Sequence, residues 1–569
     1  MCFHGTASLR PVGQDGAARL KRDARLDQLQ REVAFPRLDD EQIAALRGIG
    51  MPARFSAGEP LFSAGDAGVP FFVVEQGEVA VVDPSRPEEL LALHRRREIT
   101  GDVDTLSGRP ARVSALARTD CATLRIAAKD LRRVVDERPR VGDVLLKAFL
   151  TRRQLLDASG VAALRVVGSH FCRDTHRIRE FLARNKIPFD WLDLEKDAAV
   201  RRLLSRFKVG APDTPLVILA DGRMLRSPSN AELASALGIR KPLERAVYDL
   251  AVVGAGPAGL AAAVYGASEG LKTLVLDRMA PGGQAGGSSC IENYMGFPTG
   301  VSGGELADRA LLQAQKFGAI FSVPAEVARL RCEPGFHVLE VDGGEQVAAR
   351  CVLIAAGASY RRLDAPGCAR FENLGVYYAA TAVEAELCRN AQVVIVGGGN
   401  SAGQAAVYLA ERARRVLLVL RGDDLRKDMS DYLARRIEHT PTIEVRRQTE
   451  VAGMRGEKRL ESVELRSRQT GELERVECPA AFVFIGARPH TGWLPHDIGL
   501  DGQGFVNTGP QPGGIRAWPL ARPPFLLETS APGVFAAGDI RVGSIKRVAS
   551  AVGEGAMAVK FVHEYLASR

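Results

Sequence analysis

The chain has 569 residues, more than one hydrophobic core usually serves, so three or more domains are expected. Its 76 basic and 68 acidic residues leave a formal net charge of +8, a mixed surface; clusters such as HRRR at 94–97 lack aromatic interleaving, so no nucleic-acid partner is expected. Nine cysteines are scattered singly with no C-x-x-C, which argues against a zinc site or a disulfide scaffold, predicts no metal, and suits a reducing cytoplasm.

Residues 1–35 are polar, carry no apolar stretch of signal-peptide length, and read as a mobile segment. Over 36–160, short apolar runs separated by glycine (FSAGEPLFSAGD, VPFFVVEQGEVAVVD, RVSALARTDCATLRI) predict a small antiparallel barrel, with LLKAFLTRRQLLDA as a helix after it. Over 161–242 the order is strand LRVVGS, helix HRIREFLARN, strand FDWLDL, helix AVRRLLSRF, strand PLVILADG and helix AELASALG, a compact α/β unit. From 243 onward, strand, glycine turn and helix occur twice. The longest uncharged run, Leu250 to Ser268, contains Gly254, Gly256, Pro257 and Gly259; it reads as a strand, a turn and a helix start, and no membrane span is expected.

In DLAVVGAGPAGLAAAVYGASEGLKTLVLDR, Gly254 permits a tight turn, Gly256 lets backbone approach a pyrophosphate, and Gly259 lets helix and strand pack closely; Pro257 and Ala258 lie between them at the helix start. Helix N-terminal N–H groups then face the phosphates, and Asp277 is placed to accept from a ribose. VVIVGGGNSAGQAAVYLA repeats the cradle with Gly397, Gly399, Asn400, Ser401 and Ala402. The strand after it runs into Arg421, with Arg426 a turn further on; a ribose hydroxyl would want a carboxylate there and a 2′-phosphate a cation, so NADPH is expected over NADH. Two cradles in one chain point to a tightly held flavin, FAD, and a transient nicotinamide. Near the end, ETSAPGVFAAGDIRV places Gly538 and Asp539 after an apolar strand, and the next helix begins near Val548 and Ala549, where its N-terminus would favour a reduced flavin ring.

Together these residues resemble the thioredoxin reductase family of FAD and NADPH oxidoreductases across 247–569. The resemblance includes PGGQAGGSSCIENYMGFP, with Gly282, Gly283, Gln284 and Asn293 at flavin-contacting family positions, and it implies an FAD domain over 243–362 and 485–569 with an NADPH domain inserted at 363–484. It further implies hydride transfer from nicotinamide to flavin, two domains that rotate, and a homodimer. The family's redox-active C-x-x-C would fall at Ala380 to Val383, where neither end is cysteine, so an internal dithiol relay is not expected. Cys388 reads as a buried thiol; Cys290, beside the flavin loop, is a lone candidate. The electron acceptor is left open among a disulfide, a quinone, a ferredoxin and oxygen.

The two front units also carry resemblances. The 161–242 unit looks like a thioredoxin or glutaredoxin fold: Cys172 sits between first strand and first helix, Arg173 is a nearby cation, the partner position is Thr175, and Thr214–Pro215 matches that fold's cis-proline. It suits either a thiol that forms mixed disulfides or a docking module without the chemistry. The 36–160 unit resembles a cyclic-nucleotide-binding domain, with Gly101, Asp102 and Arg112 as the candidate effector pocket; Asp102 is one methylene shorter than the family's glutamate, Asp104 adds negative charge, and Val113 replaces a hydroxyl. The expected fold class is therefore multidomain α/β and α+β: a β-barrel, a thioredoxin-like domain, and a Rossmann-like flavoprotein with an inserted NADPH domain. The leading reading is an NADPH-dependent flavin oxidoreductase. The alternatives are disulfide reduction through Cys172 in cis, or a cyclic-nucleotide-responsive signalling protein with little turnover.

Overall fold

In the computed structural model, residues 31–569 are described apart from 84–85, 102–104, 107, 109, 160–163, 196–213, 220–221, 241–242, 244–245 and 511–517. The segment read as mobile thus lies almost wholly outside the described residues, as does the helix expected at AVRRLLSRF. The chain divides into two compact units, Met1–Val161 and Ala162–Arg569.

The first unit holds two four-stranded antiparallel sheets. One runs Met51–Phe55, Cys121–Ile126, Phe71–Gln76, Ile99–Thr100; the other runs Pro60–Phe62, Ser114–Ala117, Val79–Asp83, Arg86–His94. Val79–Asp83 is buried at every position, so it reads as an apolar run without polar alternation. Helices Ala128–Glu137 and Pro139–Ser159 follow. Buried Arg152 of the second one donates to the carbonyls of Ala34 (2.7 Å), Gly101 (2.7 Å) and Ile99 (3.0 Å), tying the helix to the start of the candidate effector cassette.

The second unit begins with a four-stranded sheet in the order Phe189–Asp193, Leu164–Gly168, Leu216–Leu219, Met224–Arg226. Its first pair is parallel and the others antiparallel. Helices Arg173–Arg184 and Asn230–Ala236 belong to it, and the Thr214–Pro215 peptide is cis. The expected strand PLVILADG stops at Leu219, and Met224–Arg226, absent from the sequence reading, pairs back on it.

The larger sheet runs Ile320–Ser322, Thr273–Leu276, Val247–Val253, Glu345–Ile354, Phe336–Val341, Val327–Glu333, with Val534–Ala536 parallel to Glu345–Ile354. Leu250 and Val252 pack with helices Pro257–Ser268, Gly303–Lys316 and Val548–Ala567 on one face; Ala251 and Val253 pack with Leu330 and Leu339 on the other. Burial on both faces explains the continuous apolar run of Leu250 to Val253. A second sheet, all parallel, runs Val376–Tyr377, Ala480–Val483, Gln392–Val396, Arg415–Val419, Ile443–Arg446. The chain passes between the two sheets along an antiparallel ribbon, Ala358–Tyr360 against Ala487–Pro489. No helix among the described residues is long and apolar enough to cross a membrane.

Candidate flavin and nicotinamide sites

The first glycine turn joins strand Val247–Val253 to helix Pro257–Ser268, and its first and third glycines are sterically required. Gly254 has φ +108°, and a Cβ there would lie 2.2 Å from the Ala355 carbonyl oxygen. A Cβ on Gly259 would lie 1.9 Å from the Gly254 oxygen. Gly283, at φ +55°, faces Gly256 so closely that its Cβ would sit 2.9 Å from the Gly256 Cα. Pro257 occupies the first helical turn, where its missing N–H is not needed. The result is a bare-backbone cradle beside a helix N-terminus, which fits a pyrophosphate.

Asp277 follows strand Thr273–Leu276 and accepts from the Ala255 N–H (2.8 Å) through Oδ2 and from the Met279 and Ala280 N–H groups (2.8 and 3.1 Å) through Oδ1. Loss of water pushes its carboxyl above the usual range, against the pull of those three bonds. Its first role is therefore to tie the glycine turn to the second strand, which the sequence reading did not anticipate. The Gln284 side-chain amide donates to the Ala358 carbonyl, joining the flavin loop to the interdomain ribbon. Asn293 is exposed on the same loop. Cys290 is half-buried with its sulfur against Gly300, and burial, then Glu292, raise its thiol.

Gly538, at φ +78°, begins the turn Gly538–Ile540, and its N–H donates to Glu554 Oε2 (2.7 Å). Glu554 also pairs with Arg541 at 2.5 Å, both side chains being mostly buried. Glu554 lies inside helix Val548–Ala567, so this clamp holds Asp539 and the helix start together; the sequence reading missed it. Burial raises the Asp539 carboxyl, with Lys546 pulling the other way. Val548 and Ala549 form the first turn of that helix, as expected.

The second cradle links strand Gln392–Val396 to helix Asn400–Ala410. Gly397 has φ +143°, and a Cβ there would meet the Phe484 oxygen at 2.3 Å. Gly399 caps the helix, Asn400 Oδ1 accepts from the Ser430 N–H (2.8 Å), Ser401 Oγ accepts from the Tyr360 hydroxyl (3.4 Å), and Ala402 is fully buried. The two arginines part company here. Arg421 is exposed just beyond strand Arg415–Val419, whereas Arg426 is paired with Glu438 (2.7 and 2.8 Å) and Asp431 (3.3 Å).

The comparisons with known proteins agree with this geometry. Residues 248–555, more than half of the chain, match the family model described as pyridine nucleotide-disulphide oxidoreductase. The chain belongs to that family. The oxidoreductase is 35% identical over 319 residues to a thioredoxin reductase of Treponema pallidum, covering 56% of this chain and 97% of the relative. It is 31% identical to one of Bacillus subtilis, covering 57% and 96%. Among solved structures it resembles a Lactococcus lactis thioredoxin reductase, at 27% identity and a TM-score of 0.51 over 57% of this chain and all of that one. Residues 52–138 match the cyclic nucleotide-binding domain model. The oxidoreductase is a thioredoxin reductase-like flavin enzyme, of a family that uses FAD and NADPH, with an N-terminal cyclic nucleotide-binding domain. Both glycine turns fit those groups, because each sets bare backbone beside a helix N-terminus.

Within the oxidoreductase, Ala380 to Val383 lies at the start of helix Ala382–Leu387. Thr381 caps it and Glu384 completes a reciprocal capping box. Thr381 reaches the flavin loop: a Cβ on Gly287 would be 3.9 Å from its Cγ2. Cys388 is fully buried, donates to the Glu384 carbonyl (3.2 Å), and is pushed up to about 12 by burial. Cys172 is the N-cap of helix Arg173–Arg184 and half-buried, with Thr175 fully buried one turn on. Just before it, His170 Nδ1 meets Asp193 at 2.9 Å and Ser169 donates to Glu195 at 2.6 Å; ligand atoms of His170, Asp193 and Glu195 lie within 4.8 Å of one another. In the effector cassette, Arg112 is buried and Gly101 has φ +114°, while Asp102 lies outside the described residues.

Proposed function

We propose that this protein is an NADPH-dependent FAD oxidoreductase that passes electrons to an acceptor without a dithiol in its core. One observation carries the reading: where the family's cysteine pair belongs, the helix start facing the flavin loop presents Ala380 and Val383 around the capping Thr381. When bound, the two nucleotides supply hydride transfer from nicotinamide to flavin. The chain's part is to bind and orient them: backbone N–H groups of the two helix starts hold the phosphates, Asp277 fixes the first turn, the Glu554–Arg541 pair fixes the Gly538–Asp539 turn, and Arg421 meets a 2′-phosphate. A methyl and an isopropyl group can neither attack a disulfide nor relay reducing equivalents, so these leave by another route.

The 161–242 unit is thioredoxin-like on this reading. Its sheet order, with one parallel pair, two antiparallel pairs and a cis proline ahead of the third strand, supports that assignment. A second reading, disulfide reduction through Cys172, is favoured by that cysteine's place at a helix N-cap with partial exposure. The cyclic nucleotide-binding domain is the seat of an effector held by Arg112. Purified protein tests all three. It is expected to be yellow and bleached by NADPH, and then reoxidised by one of quinone, ferredoxin, oxygen or thioredoxin disulfide. Reoxidation by thioredoxin disulfide that Cys172→Ser abolishes would favour the second reading, and bleaching quickened by cyclic AMP or GMP would support the effector role. A colourless protein that refuses FAD overturns the core proposal.

A further inference from the structure

We propose that the 161–242 unit is a latch that spans the flavin and nicotinamide domains and holds them in the arrangement in which helix Ala382–Leu387 faces the flavin loop. The proposal rests on the reading above for what the latch controls, and on contacts for its existence. On the flavin side, Asn185 donates from its side chain to the Met279 carbonyl (3.0 Å), and the Met279 side chain packs into the unit's apolar core. Met279 is two residues beyond Asp277, whose carboxylate holds its N–H, so this anchor sits at the edge of the first cradle. On the nicotinamide side, Arg173 donates to the Ala369 and Arg370 carbonyls (3.2 and 2.7 Å), and His176 Nε2 lies 3.3 Å from Glu384 Oε1. Glu384 is the capping partner of Thr381, the residue against the flavin loop.

One short unit thus grips both domains, at the edge of the first cradle and at the capping box beside the flavin loop. Burial decides which contacts hold. His176 and Glu384 side chains are 8% and 3% exposed, whereas Arg436 and Glu292, which also link the two domains at 2.7 Å, are 47% and 28% exposed. An exposed pair of that kind contributes little, while a buried polar contact is lost at the full desolvation cost of its partners. While Thr381 sits on the flavin loop, a nicotinamide on the second cradle is kept from it; opening the latch admits it.

The experiment compares wild type, Arg173→Ala with His176→Asn, and His176→Asn alone, which removes the buried imidazole opposite Glu384 and keeps a polar side chain in its place. In oxidised protein without NADPH, amide hydrogen exchange of residues 382–387 is expected to quicken in both variants. On mixing with NADPH, flavin bleaching is expected to quicken by about fivefold in the double variant, equivalent to roughly 1 kcal/mol. Unchanged exchange in both variants overturns the latch, and so does quicker exchange with unchanged or slower bleaching. If the double variant does not fold, the single variant decides on the same two readings. If exchange responds but no protein, wild type included, is bleached by NADPH, the proposed function fails and the latch stands on exchange alone.

Discussion

A single added methyl group separates the roles of the two glycine turns. At Gly397, φ of +143° and a Cβ contact of 2.3 Å with the Phe484 oxygen leave no room for a side chain. Gly397→Ala is therefore expected to keep the yellow spectrum while NADPH bleaching falls by at least about tenfold, a loss of roughly 1.4 kcal/mol. Gly259→Ala, whose Cβ would lie 1.9 Å from the Gly254 oxygen, is expected to yield colourless protein. The arginines separate in the same way. Arg421→Ala should raise the KM for NADPH by about tenfold, as expected for loss of one charge-assisted phosphate contact, and leave the KM for NADH unchanged. Arg426→Ala, which gives up Glu438 and Asp431 instead, should leave the ratio of the two KM values where it was. Steady-state kinetics with both nucleotides decides; equal rises for NADPH and NADH after Arg421→Ala would sink the phosphate assignment.

Between elements, long-range pairings decide geometry that local pattern cannot announce. The cradles were legible in the sequence because the glycines, a turn and a helix start lie within six residues, although the oxygens that exclude a side chain at Gly254 and Gly397 belong to the distant Ala355 and Phe484. Alternation and apolar runs likewise marked several strands of both units, though not the short Met224–Arg226. The Glu554–Arg541 clamp, the Asn185–Met279 anchor and the His176–Glu384 contact left no such trace, since an acid or amide on a helix reads the same whether it faces water or another domain. Arg426 shows the same limit: its spacing after the strand suits a phosphate, and only the fold brings Glu438 beside it. The clamp has a direct consequence. Arg541 and Glu554 are 15% and 12% exposed, so Glu554→Ala leaves a buried guanidinium unpaired and costs about 3 kcal/mol. A fall in thermal midpoint with faster FAD release on dilution is expected, and an unchanged flavin content would exclude the clamp from the site.

For the molecule as a whole, buried neutral histidines set how stability responds to acid. His337, on strand Phe336–Val341, is 3% exposed; burial, with Arg569 adding to it, pushes its imidazole down to about 4. Burial lowers His176 and His94 as well. For each, the unfolded chain takes up a proton near pH 6.5 while the folded chain still resists it. Stability is therefore fully present above pH 6.5 and is lost as pH falls from there toward 4. His337 alone accounts for about 2 kcal/mol between pH 7.5 and pH 5. The raised carboxyls of Asp277 and Asp539 act in the opposite sense, favouring the fold as acid protonates them, so the share of His337 is read from the difference between wild type and a variant in which both carboxyls are kept. Thermal midpoints across pH 5 to 7.5 are expected to drop steeply in wild type and less in His337→Leu, which packs the same strand without a titrating group. An identical slope in the two proteins would mean that His337 meets solvent in the folded chain.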